Sequence, residues 1–285
     1  MQNIRTESFL IYRGTSVLTQ RDRFTRQSTG HTLKERFRLL IGQALLVVVW
    51  LVVWEWTARM EILPPAFIGQ PSGFLKIFYN HLIDGMFLRA TVTTLNAVIV
   101  AFVLGSILAL MTALSMTVFP ILERLLSPII DALNALPRVA LIPLFILWFG
   151  LGFAQKVISG VSIMYFILLS YTLAGSKSVD PDHLQLARSL GMTRHAVFYN
   201  VVIPSAIPAI FAGLRLGMIY TVLGVITAEL IAGGKGIGTL VSYYSNTFNP
   251  NGVFATLIML IIITSVLTAT MSRIENHFLR WRDFS

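Results

Sequence analysis

Leu39–Thr57 holds nineteen residues in which Gln43 and Glu55 are the only strong polar exceptions. A helix needs roughly 20 apolar residues to cross the hydrocarbon core of a bilayer, so the length fits a span. Trp50, Trp54 and Trp56 crowd its far end, as interfacial aromatics do. Five more apolar runs follow, at about 91–118, 129–150, 157–175, 206–231 and 253–271. The reading is an all-α, polytopic membrane protein with six transmembrane helices. Composition agrees: 12% of the residues are charged, against about 25% in a soluble domain.

The segments between and within the spans differ in character. Residues 1–38 are polar and basic, too long and too charged for an ordinary signal-peptide n-region, and read as a cytoplasmic tail near anionic lipid. Residues 58–90 are amphipathic, broken at Leu63-Pro-Pro65 and Gln70-Pro-Ser72, with a helical run near Phe74–Leu82. Ala97, Ala101, Gly105, Ala109 and Ala113 recur every four residues, a stripe that lets membrane helices approach closely. Gly213 and Gly217 form a second close-packing face. Phe119-Pro120 through Ser127-Pro128 reads as a short polar connection. The third run is interrupted by Pro137 and Pro143, which at membrane depth points to a helix lining a pathway.

Charge orients the chain. Fifteen Lys and Arg fall in the tail, the 119–128 connection, the 176–205 loop and the C-terminus; five fall on the opposite side. By the positive-inside rule both termini and the 176–205 loop are cytoplasmic. The tail of about 276–285 is basic for the same reason. This distribution accounts for the net charge of +9 through the membrane and gives no role to nucleic acid. With no Cys there is no disulfide, thiol catalysis or Cys-ligated metal, and the five His lie in no metal-ligand spacing. Gly175-Ser-Lys-Ser178 lacks P-loop spacing, and Gly234-Lys-Gly-Ile-Gly238 is no dinucleotide fingerprint but a flexible extracellular turn.

The cytoplasmic loop at 180–204 carries the most specific pattern. Asp180 can cap a first helix with Pro181 at N1, and Gly191 can end it in the left-handed conformation. Thr193 can cap a second, expected to run until Pro204 forbids continuation. Gln185, Leu186, Ala187 and Gly191, then Val201-x-Ile203-Pro204, resemble the cytoplasmic loop signature of bacterial ABC-importer permeases, Glu-Ala-Ala-x3-Gly-x9-Ile-x-Leu-Pro. Ala187, Gly191 and Pro204 match it; Gln185 and Leu186 depart from it. Leu136 through Gly152, Ala228 through Gly238, and Leu63-Pro-Pro65 with Pro71-Ser72 are similar to segments of the nitrate/sulfonate/taurine/bicarbonate group of those permeases. The likeness covers roughly residues 40–280.

The resemblance implies the architecture of a type I ABC importer permease in the bacterial cytoplasmic membrane. It implies two permease copies, the simpler guess being a homodimer, two ATP-binding cassette subunits and an external solute-binding protein. This chain would do no bond chemistry and hold no cofactor; ATP and Mg would be used by the partner ATPases. Leu186, Leu190, Gly191 and Met192 would form the knob entering the ATPase groove, and Arg188 and Arg194 would pair with acids at its rim. Glu229 has two readings, a functional intramembrane acid or an interfacial one satisfied by helix ends near Gly233 and Gly234, and a structural or gating role is preferred over direct substrate contact. Asp131 and Arg138 are a weaker candidate ion pair. An ion-coupled secondary carrier or channel is the alternative from another class, though the halves show no convincing repeat. A membrane enzyme ranks below it, because no His, Asp or Ser falls at catalytic spacing.

Overall fold

The computed structural model describes residues 33–60 and 65–279. It is helical throughout, without a strand among the described residues. The structure divides at Thr57. In the first unit, α1 (Leu33–Arg59) begins six residues ahead of the apolar run and carries a window of mean hydropathy 2.2. The Trp50 and Trp54 rings lie 5.0 Å apart along it. The remainder of the basic N-terminal stretch lies outside the described residues.

The second unit contains α2 (Pro65–Ile68), α3 (Pro71–Ile83), α4 (Met86–Val118), α5 (Pro120–Asn134), α6 (Ile142–Phe149), α7 (Phe153–Lys177), α8 (Pro181–Ser189), α9 (Arg194–Val197), α10 (Ile203–Ala232), α11 (Ile237–Asn246) and α12 (Pro250–Phe278). Five helices, α1, α4, α7, α12 and the joined α9–α10, are long and apolar enough to cross a membrane. A sixth crossing would be α5 taken with Arg138–Phe149, two pieces that meet at 86°.

Helix α7 is the hub, packed between α4 and α10. The alanine stripe of α4 supplies that contact: Ala97, Ala101, Ala109 and Ala113 are all fully buried. One core cluster joins Ala97, Val98 and Ala101 to Val157, Val161, Val222 and Val225. A second joins Ala109, Ala113 and Met116 to Met164, Leu168 and Leu169. Without a hydrophobic force between helices in lipid, such contacts rest on close packing of small residues. Gly160 and Gly217 show how tight it is: an added Cβ would lie 2.7 Å from Ala101 Cβ and 2.2 Å from Met164 Sδ, respectively. Around this hub, α12 packs on α3, α10 and α11.

Three boundaries differ from the sequence reading. The 119–128 connection is not a polar linker: Pro120 sits in the first turn of α5, which continues to Asn134. The third run is accordingly not one span over 129–150. It breaks at 135–137, and a 3-10 turn (Arg138–Leu141) leads into α6. Pro137 marks that break, but Pro143 does not interrupt a helix; it lies in the first turn of α6, where its missing N–H costs nothing. Finally, Pro204 does not end the second loop helix. Arg194 through Ala232 is one helical run of 39 residues, because a π-helical stretch, Phe198–Val202, precedes the proline. There the Ile203 N–H reaches back five residues to the Phe198 carbonyl, and Ser205 Oγ donates to the Val201 carbonyl at 2.8 Å. Such single-turn π segments let a helix pass a residue that would otherwise stop it.

Candidate functional site

The loop between α7 and α10 forms at one end of the helices. Its first helix is capped as its residues require. Asp180 accepts the Asp182 N–H at 2.9 Å, and Pro181 occupies the first turn. At the far end the Met192 N–H bonds the Ala187 carbonyl at 3.1 Å and the Gly191 N–H bonds the Arg188 carbonyl at 2.9 Å. That pair of bonds, with Gly191 at φ +70°, is a Schellman ending. Thr193 Oγ1 accepts the Ala196 N–H at 3.3 Å and caps the next helix.

These caps fix which side chains face outward. Ala187 is buried and anchors α8 inward, while Leu186 and Leu190 are 58% and 72% exposed. Met192 and Pro204 are half-buried. Gln185, Arg188, Gly191 and Arg194 are exposed, and neither arginine has an ion-pair partner among the described residues. Two leucines projecting from a helix whose both ends are fixed, flanked by two unpaired cations, form an exposed apolar patch of fixed shape. An added Cβ on Gly191 would meet nothing within 4 Å, so this turn also points into open space. Two ion pairs brace the helices, Lys177 with Glu123 at 2.5 Å at the same end and Arg215 with Glu275 at 3.3 Å further along α10.

Glu229 lies near the opposite end of α10, fully buried. It is not satisfied by the helix end at Gly233 and Gly234. Lys156, from the first turn of α7, donates to Oε1 at 3.0 Å. The Gly238 N–H donates to Oε2 at 2.9 Å, and the Thr94 hydroxyl lies 3.0 Å from both oxygens. Thr94 Oγ1 in turn accepts the Ile237 N–H at 2.9 Å, and Lys156 also donates to the Lys235 carbonyl. One carboxylate therefore ties α4, α7, α10 and the start of α11 together. The Gly234–Gly238 stretch is not the flexible turn its composition indicated, since Gly236, Ile237 and Gly238 are all buried. Gly236 is required: at φ +138°, a Cβ there would sit 2.0 Å from Glu229 Oε1. The sequence reading counted Lys156 only among the five cations on the side opposite the 176–205 loop, just outside the run beginning at 157, and missed it as the partner. Its position in the first turn of α7, opposite the last turn of α10, was the available signal.

The bent span surrounds a third feature. Asp131 and Arg138 do not pair; Arg138 Nη2 donates instead to Asn134 Oδ1 at 3.3 Å, and its guanidinium stacks 3.9 Å from the centre of the Phe166 ring. Phe166 lies thirteen residues into the 25-residue α7, about 20 Å along it at 1.5 Å per residue. Arg138 is thus level with the middle of α7. It opens on a cavity of about 450 Å³ between the break, α7 and α10.

An apolar bundle built on one central helix, with a capped loop at one end and a broken span beside a cavity, is the architecture of a polytopic membrane subunit. Residues 101–282 match the family described as "Binding-protein-dependent transport system inner membrane component", and the chain belongs to it. It is a permease subunit of ABC importers. The chain is similar to the riboflavin transport system permease protein RibX of Chloroflexus aurantiacus, 29% identical over 85% of this chain and 90% of that one. It is also similar to the formylaminopyrimidine transport permease protein ThiX of Halalkalibacterium halodurans, 28% identical over 84% and 94%. With the taurine transport system permease protein TauC of Escherichia coli it shares 27% identity over 87% and 91%. Among solved structures, an amino acid ABC transporter chain superposes with a TM-score of 0.59 at 24% identity, covering 73% of this chain and 97% of that one. A chain of the MetNI methionine transporter, inward facing, gives 0.60 at 17% identity, covering 68% and 97%. The likeness to both is one of fold.

Proposed function

We propose that the Pro181–Pro204 loop is the surface through which this permease couples to partner ATPase subunits, with Leu186 and Leu190 as the apolar contacts. The observation carrying this reading is their exposure on a helix fixed at both ends and followed by a helical run straight into a span. Surface leucines on a mobile loop would transmit little; here α9, the π stretch and α10 are continuous. Arg188 and Arg194 meet acidic residues at the rim of the groove. Hydrolysis of ATP with Mg belongs to those subunits, and this chain supplies the pathway.

In this reading the assembly contains two copies of the chain, and the loop faces the cytoplasm of a bacterial cell with both termini on that side of the inner membrane. At the other end an open hollow of about 670 Å³ lies between the start of α4 and the Gly234–Leu240 segment, edged by Arg89 and Lys235. Two exposed cations beside it suit an acidic lobe of an external solute-binding protein. The named solutes of the relatives differ too much in chemistry to assign one here. The test is purification of the tagged chain in mild detergent with identification of the co-purifying chains. A stoichiometric ATPase that is lost from the Gly191→Arg variant supports the docking surface; retention of the ATPase by that variant removes it.

A further inference from the structure

One face of α7 changes character from end to end. Gln155, Ser159, Ser162, Phe166 and Ser170 follow one another at steps of four, three, four and four, which keeps them in one row along the helix. The row spans about 22 Å at 1.5 Å per residue. Its exposure rises toward the loop end: Gln155 and Ser159 are 0% and 2% exposed, Ser162 and Phe166 are half-buried, and Ser170 is exposed. Phe166 and Ser170 line the cavity beside the bent span. The serine hydroxyls donate within the helix, Ser159 to the Gln155 carbonyl, Ser162 to the Ser159 carbonyl and Ser170 to the Phe166 carbonyl. Each oxygen still has accepting capacity. Gln155 stands apart: it is fully buried, and neither its Nε2 nor its Oε1 makes a hydrogen bond among the described residues. A buried amide left unpaired at both ends calls for a reason.

We propose that the solute path follows this face of α7, open here at the loop end and shut at Gln155, whose amide becomes a wall group of the path when the other end opens. The proposal rests on the permease reading and deepens it by assigning the route. Polar side chains recurring with the helical period give a span one face that suits water rather than lipid. The cover over Gln155 is drawn from the part of the fold that is least tied. Lys156, the next residue, reaches Glu229 at 3.0 Å, and Thr94 lies 3.0 Å from the same carboxylate, so α4 and α10 are held to α7 at this end. Helix α6 and the 3-10 turn also pack on α7. The only polar side chain of α6 is Trp148, which is 64% exposed, so α6 is held by apolar contact alone. Such contacts slide in shear motions, and the break at 135–137, where the two pieces meet at 86°, supplies a hinge. Leaving the amide unbonded raises the energy of the shut state relative to one in which water or solute bonds it.

The chain has no native Cys, so each single-cysteine variant reports one site. The full chain in nanodiscs is treated with a membrane-impermeant methanethiosulfonate carrying a quaternary ammonium group. Only a hydrated thiolate reacts, so Ser162→Cys and Ser170→Cys are expected to be modified at least about tenfold faster than Val103→Cys, a 46% exposed position on α4. Gln155→Cys is expected to react at least about tenfold more slowly than Ser170→Cys. In intact cells, where ATP and the partners are present, Gln155→Cys should react from outside at least about tenfold faster than in cells depleted of ATP. Ser162→Cys reacting no faster than Val103→Cys overturns the route. Ready reaction of Gln155→Cys in nanodiscs, or no acceleration in energised cells, overturns the seal. Gln155→Met should melt no lower than the wild type, because it removes an unpaired amide; a lower Tm shows that the amide is bonded in the fold and also overturns the seal. The nanodisc rates need no ATPase. If no ATPase co-purifies and the row still outreacts Val103→Cys, the docking loop fails and the route stands; if the ATPase co-purifies and the row does not, the route fails alone.

Discussion

Lys156 and Glu229 form a buried pair whose two halves cannot be removed separately without large cost. Lys156→Met leaves a fully buried carboxylate with one hydroxyl and one amide as its remaining partners. Breaking a buried pair from one side costs about 3–5 kcal/mol, since the other charge is stranded. Glu229→Gln leaves the ammonium buried without a counter-charge, with the Lys235 carbonyl and the glutamine amide oxygen as its neutral acceptors, and should cost a similar amount. The double variant Lys156→Met with Glu229→Gln removes both charges. What it loses is one or two neutral hydrogen bonds of about 1 kcal/mol each, so it should lie within about 2 kcal/mol of the wild type. The coupling between the two sites is then at least about 3 kcal/mol. Unfolding of each variant in mixed micelles, followed by circular dichroism against denaturing detergent, gives the four values of the cycle. Additivity within about 0.5 kcal/mol, the behaviour of independent sites, would refute the reasoning, as would a Lys156→Met cost below about 1 kcal/mol.

Other outcomes follow from single positions. Gly236→Ala should destabilise as much as losing one half of the pair, because its Cβ would lie 2.0 Å from Glu229 Oε1; the same unfolding measurement checks it. Gly191→Arg should insert and fold, since its Cβ meets nothing within 4 Å and the left-handed conformation costs a non-glycine residue about 1–2 kcal/mol, yet it should abolish uptake; a misfolded product would contradict the geometry. Asp84 accepts from His81 Nδ1 at 3.0 Å and from the Met86 N–H at 2.7 Å, contacts that hold its carboxyl below the ordinary range. A carboxylate lowered in this way adds stability above its unfolded value near 4 and loses it as pH falls through its native value. Exchange protection at the Met86 amide should therefore hold from pH 7 to pH 5 and fall below about pH 4, and should show no such step in Asp84→Asn.

Much of this molecule was legible in the residues, and what was not has physical reasons. Long apolar runs leave a chain few options in lipid, so five helices fall near their expected limits. The four-residue recurrence from Ala97 to Ala113 identified the buried face of α4 because small side chains at that spacing serve little else. The caps at Asp180, Gly191 and Thr193 were readable because each is a local bond. Long-range pairing was not: nothing local to Lys156 says that Glu229, seventy-three residues on, will be its partner. Pro204 misled because the rule that proline ends a helix assumes an α-helical register, which the Phe198–Val202 stretch abandons. The α11 helix was overlooked because Ile237–Asn246 mixes Ser, Tyr and Asn with its apolar residues, as turns do.

That same π stretch has a mechanical consequence. By keeping Arg194 through Ala232 unbroken, it makes a rod about 58 Å long at 1.5 Å per residue, nearly twice the roughly 30 Å of bilayer hydrocarbon. The Glu229 knot clamps this rod close to the end away from the loop. Clamped at the knot and packed on α7 through Gly213 and Ala206, the rod turns together with the hub as one arm whose far tip is the loop. Swinging it by about 5° about the knot carries its tip some 5 Å on that length, with proportionately less movement beside the cavity near Leu216. A small push on the loop and a smaller, precisely graded shift of the cavity wall are then two readings of one rotation.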